Sequence, residues 1–290
     1  MRGVSERAEW AAPPGGPADG PAVAWKINGE RLTVLGWGRA VLLQFAHPLV
    51  AAGVAEHSRF DTGPAALLGR TRRTLEAMLA FTFGPEPRAR AAADRINAIH
   101  DRVHGTLAEP AGVYPAGQPY SAHDPELLAW VHATLIDSVL LAWEVFVGPL
   151  TREEKDRYCL EATAMGPRLG VPAEDLPATS EALEAYLREM VASGRICVTP
   201  TARDLAARLF SPPLGPLGPV GRPVVELLRL AAVGLLPAPI RAAYGFAWDA
   251  GRERALRTLA ALVRGARRLA PRALREWPDA RSFAERLPRS

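Results

Sequence analysis

Residues 124–148 read DPELLAWVHATLIDSVLLAWEVFVG, and this stretch decides the fold class. Apolar side chains recur three and four positions apart through it, which is the period of an α-helix. Asp124-Pro125 starts it with an N-cap type and a proline in the first turn, and Gly148-Pro149 stops it. The same period runs through residues 38–58 (GRAVLLQFAHPLVAAGVAEHS), 68–84 (LGRTRRTLEAMLAFTFG), 88–105 (RARAAADRINAIHDRVHG) and 180–194 (SEALEAYLREMVASG). Ser180 is expected to cap a helix from Glu181, and Gly84-Pro85 to end another. No run alternates convincingly as a strand does. The sequence predicts an all-α, single-domain helical bundle.

Outward from these helices, residues 1–24 are rich in Pro, Gly and Ala and read as a flexible arm. The helical domain is expected over 25–265, with a C-terminal extension at 266–290. A Pro/Gly-rich interval, SPPLGPLGPVGRP at 211–223, interrupts the pattern before VVELLRLAAVGLLPAPIRAAYGFAW resumes it at 224–248. Too few helices follow for an independent core, so the interval is read as an internal loop. Ala40–Ala55 is nearly uncharged but falls short of the roughly 20 residues that span a bilayer, and reads as one buried helix.

Composition excludes several classes. The chain has 35 basic and 31 acidic residues, and only Lys26 and Lys155 are lysines, so the small basic excess does not indicate nucleic acid. Cys159 and Cys197 are too few for a disulfide framework and suit a reducing cytoplasm. Cys159, inside the helical EEKDRYCLEATAM, reads as a buried thiol. The first residues carry no apolar signal core, and no membrane anchor is expected. No GxSxG, P-loop or GxGxxG stands where its chemistry requires it.

The histidines carry more information. On a helix over 88–104, Ala92, Ile96, Ile99, His100 and Val103 share one face, which turns the His100 imidazole toward the core. Such a ring either hydrogen-bonds a backbone carbonyl or ligates a metal or haem iron. His104, one turn later, makes a pair with His100, but two ligands do not make a zinc site, and a cation at the helix C-terminus explains His104 better. In RTRRT (70–74), Arg70, Arg73 and Thr74 share a face suited to an anionic group or to acidic neighbours, and a solvated basic face explains them equally.

Several blocks in order then resemble one family. They are 38–60 (GRAVLLQFAHPLVAAGVAEHSRF), RTRRT, INAIHDRVHG, YSAHDPELLAWVHATLIDS (120–138), LGVP (169–172) and YGFAW (244–248). Together they resemble the DUF2236 family of MpaB-like oxygenases and rubber oxygenase (latex-clearing protein) catalytic domains, over residues 30–250. The resemblance implies a helical protein holding haem b, with molecular oxygen as co-substrate and an apolar, isoprenoid-like small molecule or polymer as substrate. It implies that His100 is the axial iron ligand, that Arg70, Arg73 and Thr74 lie beside the haem in catalytic positions, and that Trp130 and His132 pack against it. Rubber oxygenases carry lysine where Arg73 stands. A guanidinium stays protonated and does not coordinate iron. His47 before Pro48 reads as a helix end, His57 as less defined, and Tyr114 and Tyr120 as loop residues lending polarity. An apolar substrate is compatible with peripheral membrane contact. The alternatives are a haem-binding sensor or carrier without turnover, and a haem-free scaffold that binds lipid or a partner.

Overall fold

The computed structural model describes residues 22–57, 64–212 and 218–286. It is mostly α-helical. In chain order the elements are α1 (Val23–Gly29), a 3-10 segment (Arg31–Gly36), α2 (Trp37–Phe45), α3 (Pro48–His57), α4 (Pro64–Phe83) and α5 (Glu86–His100). Two short strands follow, β1 (His104–Thr106) and β2 (Pro119–Ser121), then α6 (Pro125–Phe146), α7 (Arg152–Thr163), α8 (Gly166–Leu169) and α9 (Ser180–Ala192). The chain closes with α10 (Pro200–Phe210), α11 (Gly218–Gly234), α12 (Ala238–Ala243), α13 (Ala250–Leu269), α14 (Arg272–Arg275) and α15 (Pro278–Arg286).

The bundle is built around α6. Asp124 caps it, its carboxylate accepting from the Glu126 amide at 2.9 Å, and Pro125 occupies the first turn. Its sequence is apolar on every side, so neighbours must cover every side. Leu42, Leu43 and Phe45 of α2 pack with Trp130 of α6 and with Leu205, Ala232 and Val233 of α10 and α11. On another face Ile27 packs with Ile136, Val139 and Leu140 of α6 and with Tyr158 and Cys159 of α7. The 3-10 segment crosses α6 so closely that a Cβ on Gly36 would strike the Ser138 carbonyl. α11 starts at Gly218 and carries Pro223 within it, so the helix resumes inside the 211–223 interval rather than at 224; with α13 it shares a core with Ala142 and Phe146 of α6. α6 meets the length and composition of a membrane span, yet 67% of its apolar window is buried inside the bundle, as in the central helix of a soluble core.

Four expectations are corrected. The 40–55 stretch is not one helix: α2 and α3 meet at 104° across Ala46 and His47, because Pro48 has no amide to continue the ladder and takes the first position of α3 instead. α5 stops at His100, not at 104, and His104 instead sits in the strand pair, opposite Ser121. The small sheet went unseen because three-residue strands are too short to show alternation. Thr179, not Ser180, caps α9, accepting from the Ala182 amide at 3.1 Å, while the Ser180 hydroxyl donates to Asp156 at 2.6 Å.

The C-terminal extension folds back. Trp277 and Phe283 pack with Trp25, Leu79 and Phe83, and the Trp277 amide donates to the Gly29 carbonyl at 3.0 Å. Arg267 pairs with the buried Glu30 at 2.7 Å, so the chain end fastens the end of α1.

Candidate active site

α4 and α5 form an antiparallel pair joined at Gly84-Pro85. α1, α6, α7 and α8 complete the walls of a cavity of about 300 Å³. From α4 it takes Thr74, Ala77, Met78, Phe81 and Thr82, a stripe at i, i+3, i+4, i+7 and i+8. From α6 it takes Leu128, Val131, His132, Leu135, Ile136 and Val139, on the side away from the α2 core. Most of the wall is apolar, so polar groups in it stand out.

His100 reaches this cavity from the last turn of α5, one turn after Ile96. Its Nδ1 is buried and has no hydrogen-bond partner among the described residues. Burial, and then the His123 imidazole with its centroid 5.7 Å away, hold the ring below the ordinary histidine range against the opposing pull of Asp101. His100 is therefore neutral at neutral pH. The rest of the expected face divides: Ala92 is buried and Ile96 half-buried, but Ile99 is 50% exposed and Val103 lies beyond the helix. Because α5 ends at His100, His104 turns outward; its carbonyl lies 3.1 Å from Nε2 of His57.

His132 faces the same cavity from α6. Its Nε2 donates to the Ala162 carbonyl at 3.0 Å, which fixes the proton there and leaves Nδ1 as a buried lone pair without a partner among the described residues. Burial depresses its basicity despite that carbonyl. The two imidazoles on the wall are thus both uncharged.

Of the α4 residues, Thr74 and Arg73 are both exposed; Thr74 lines the cavity, and Arg73 lies beside Gly69. The Arg70 side chain lies outside the described residues, although its place in α4, one turn before Thr74, is described. Trp130 is not brought to the cavity: fully buried, it faces α2, and its indole donates to the Leu43 carbonyl at 3.2 Å. Tyr114 and Tyr120 belong elsewhere too. The Tyr114 hydroxyl lies 3.1 Å from His47 Nε2, and Tyr120 donates to Glu56. Cys159 is buried, and burial pushes its thiol up to about 12, which suits packing rather than nucleophilic chemistry.

Sequence reasoning missed the polar residues of the wall: Asn28, Thr82, Tyr158, Glu161 and Arg168. Glu161 has a side chain only 1% exposed, and its carboxylate accepts from the Val23 and Ala24 amides at 3.2 and 2.6 Å, the open N-terminus of α1. Arg157 completes it at 2.9 Å. In the sequence Glu161 looks like one more surface acid, because its partners lie 137 and 138 residues away. Arg168 pairs with Glu86 at 2.6 Å, and its carbonyl accepts from Asn97 at 3.0 Å. Among the described residues no three His, Cys, Asp or Glu side chains converge as a metal cage.

Residues 25–265 match the model of the family described as ER-bound oxygenase mpaB/B'/Rubber oxygenase, catalytic domain. No curated protein and no solved structure matches the chain.

Proposed function

The chain belongs to the MpaB and rubber oxygenase catalytic-domain family, and from that premise we propose that it is a haem b-dependent oxygenase acting on an apolar, isoprenoid-like substrate. The observation that carries the reading is His100: a neutral imidazole on the wall of an apolar cavity, with a buried nitrogen that no described residue satisfies. A buried polar atom without a partner costs about 1–3 kcal/mol, and holding a haem iron would give this ring nitrogen a purpose.

The residues present fit haem b. His100 would hold the iron, Thr74 would stand on the wall beside the propionate edge, and Arg73, exposed at the helix surface one residue before it, suits carboxylates that reach solvent. Bound there, the haem would supply dioxygen activation. The chain's own part would be to present an uncharged His100 ring, to exclude water with the Met78, Phe81, Val131 and Leu135 wall, and to lay an apolar chain along α4. A guanidinium at Arg73, where rubber oxygenases carry lysine, would serve as a hydrogen-bond donor beside the haem and would not ligate its iron.

Purification with haem supplementation, followed by a pyridine haemochrome assay, is expected to give one haem b per chain. His100→Ala is expected to lose the Soret band while keeping its helical circular dichroism, and added imidazole to restore it. Equal haem content in the variant would refute the ligand. Oxygen uptake with a product from isoprenoid substrates separates an oxygenase from a carrier, which binds haem and yields nothing.

A further inference from the structure

Three polar side chains on the cavity wall are joined to one another. The Tyr158 hydroxyl donates to Asn28 Oδ1 at 2.8 Å, and Asn28 Nδ2 donates to Thr82 Oγ1 at 3.0 Å. Tyr158 is buried among Ile27, Ile136 and Val139, so its single proton is committed. Running donor by donor, the relay leaves two protons without partners among the described residues: the Thr82 hydroxyl proton and the second amide proton of Asn28. Both belong to residues that line the cavity.

Position follows from helix geometry. α4 and α5 are antiparallel, so the C-terminal end of α5, with His100, lies toward the N-terminal half of α4, with Thr74. Thr82 is eight residues further along α4 than Thr74, or about 12 Å at 1.5 Å per residue. The relay thus lies at the opposite end of the cavity from His100. Between them the α4 stripe offers Ala77, Met78 and Phe81.

Charge at that end decides the class of group. Arg168 is the nearby cation on the wall, but Glu86 already holds it at 2.6 Å, and the buried Glu161 carboxylate lines the same cavity. A carboxylate or phosphate entering here would find Arg168 already matched by Glu86 and would approach the Glu161 carboxylate, itself matched by Arg157. An uncharged acceptor oxygen would meet two unspent donors.

We infer that Asn28 and Thr82 form a head-group subsite for the uncharged oxygen, alcohol or ketone, at the end of an otherwise apolar chain, and that the chain runs from there toward His100. This rests on the oxygenase reading for its chemistry but not for its binding, and it makes the pair specificity determinants that fix which carbon of the chain lies about 12 Å from the head.

The test is displacement of the neutral dye N-phenyl-1-naphthylamine from the full chain by 1-octanol, 2-octanone and n-octane, with haem content measured on the same samples. Each oxygenated probe is scored as the ratio of its affinity to that of octane, which cancels apolar burial. In Thr82→Val and Asn28→Leu that ratio is expected to fall about tenfold, the loss of one buried hydrogen bond, while octane binding stays within about twofold and shows that the variants fold. Thr82→Ser is expected to keep the ratio. A ratio unchanged in both variants, or failure of the parent to bind any of the three probes, overturns the subsite. Haem with an unchanged ratio leaves the oxygenase and removes the subsite. A fallen ratio without haem leaves the subsite and removes the oxygenase. If octanone but not octanol loses affinity, the head group is a carbonyl.

Discussion

His47 is 2% exposed, with its Nε2 3.1 Å from the Tyr114 hydroxyl and its Nδ1 unpartnered among the described residues. Burial first, and the Arg195 charge second, lower its proton affinity to about 4. A ring depressed in the folded state takes its proton more readily when unfolded. Its contribution is therefore complete above about pH 6.5, declines as pH falls toward 4 and is then exhausted. The loss across that window is about 3 kcal/mol from this residue. His132 is shifted in the same direction and adds to it. Urea denaturation at pH 7.5 and pH 4.5 is expected to show the drop, and His47→Gln to flatten it; a parent equally stable at both values would contradict the assignment. Arg39 makes the opposite case, a buried charge that is matched. It pairs with Asp137 at 2.6 Å and donates to Ser138 and to the Leu235 carbonyl, both at 2.7 Å. Arg39→Met leaves Asp137 without its cation and is expected to cost about 3–5 kcal/mol by urea denaturation.

Elements were legible where their determinants are local. Asp124-Pro125 states the start of α6 within three residues, because a cap and its amide are neighbours. The Thr151–Glu154 capping box of α7 works in the same way, and Thr151→Ala is expected to lower stability by about 1 kcal/mol in a urea titration. The break between α2 and α3 is legible in His47-Pro48, which reads as a helix end, but not in the apolar pattern, which continues through Ala40–Ala55 on both sides of Pro48 and does not report a bend. For α6 the difficulty was orientation: a helix apolar all round gives no clue to which side faces a cavity. Sequence alone therefore does not separate His132 from Trp130, two positions away, although the two point to opposite sides. His100 was readable because α5 is amphipathic and its buried alanines point the way. The Tyr158–Asn28–Thr82 relay was not, since its members are 130 and 54 residues apart. At the crossing of the 3-10 segment over α6, Gly36→Ala would press a methyl into the Ser138 carbonyl. Backbone cannot swing aside as a side chain does, and a destabilisation of about 3 kcal/mol is expected by thermal or urea unfolding.

Across the whole molecule, α1 is a wall of the cavity and also a meeting point of distant segments. Glu161 holds its first amides, Tyr158 and Thr82 bracket Asn28 in its last turn, and Trp277 bonds the Gly29 carbonyl. Removal of the chain after Ala270 would uncover Phe83, Leu79 and Trp25. The truncated protein is expected to melt several degrees lower, each kcal/mol being worth about 2–4 °C at this size. A seven-residue helix is too short to persist without such ties. Its solvent-exchange behaviour should therefore be set by the ties rather than by its own ladder. The Val23 and Ala24 amides, handed to a carboxylate instead of a carbonyl, would then act as a built-in gauge of cavity occupancy. Deuterium uptake there is expected to slow when a guest fills the space behind α1, and to quicken in Glu161→Gln, before any change reaches the α6 core.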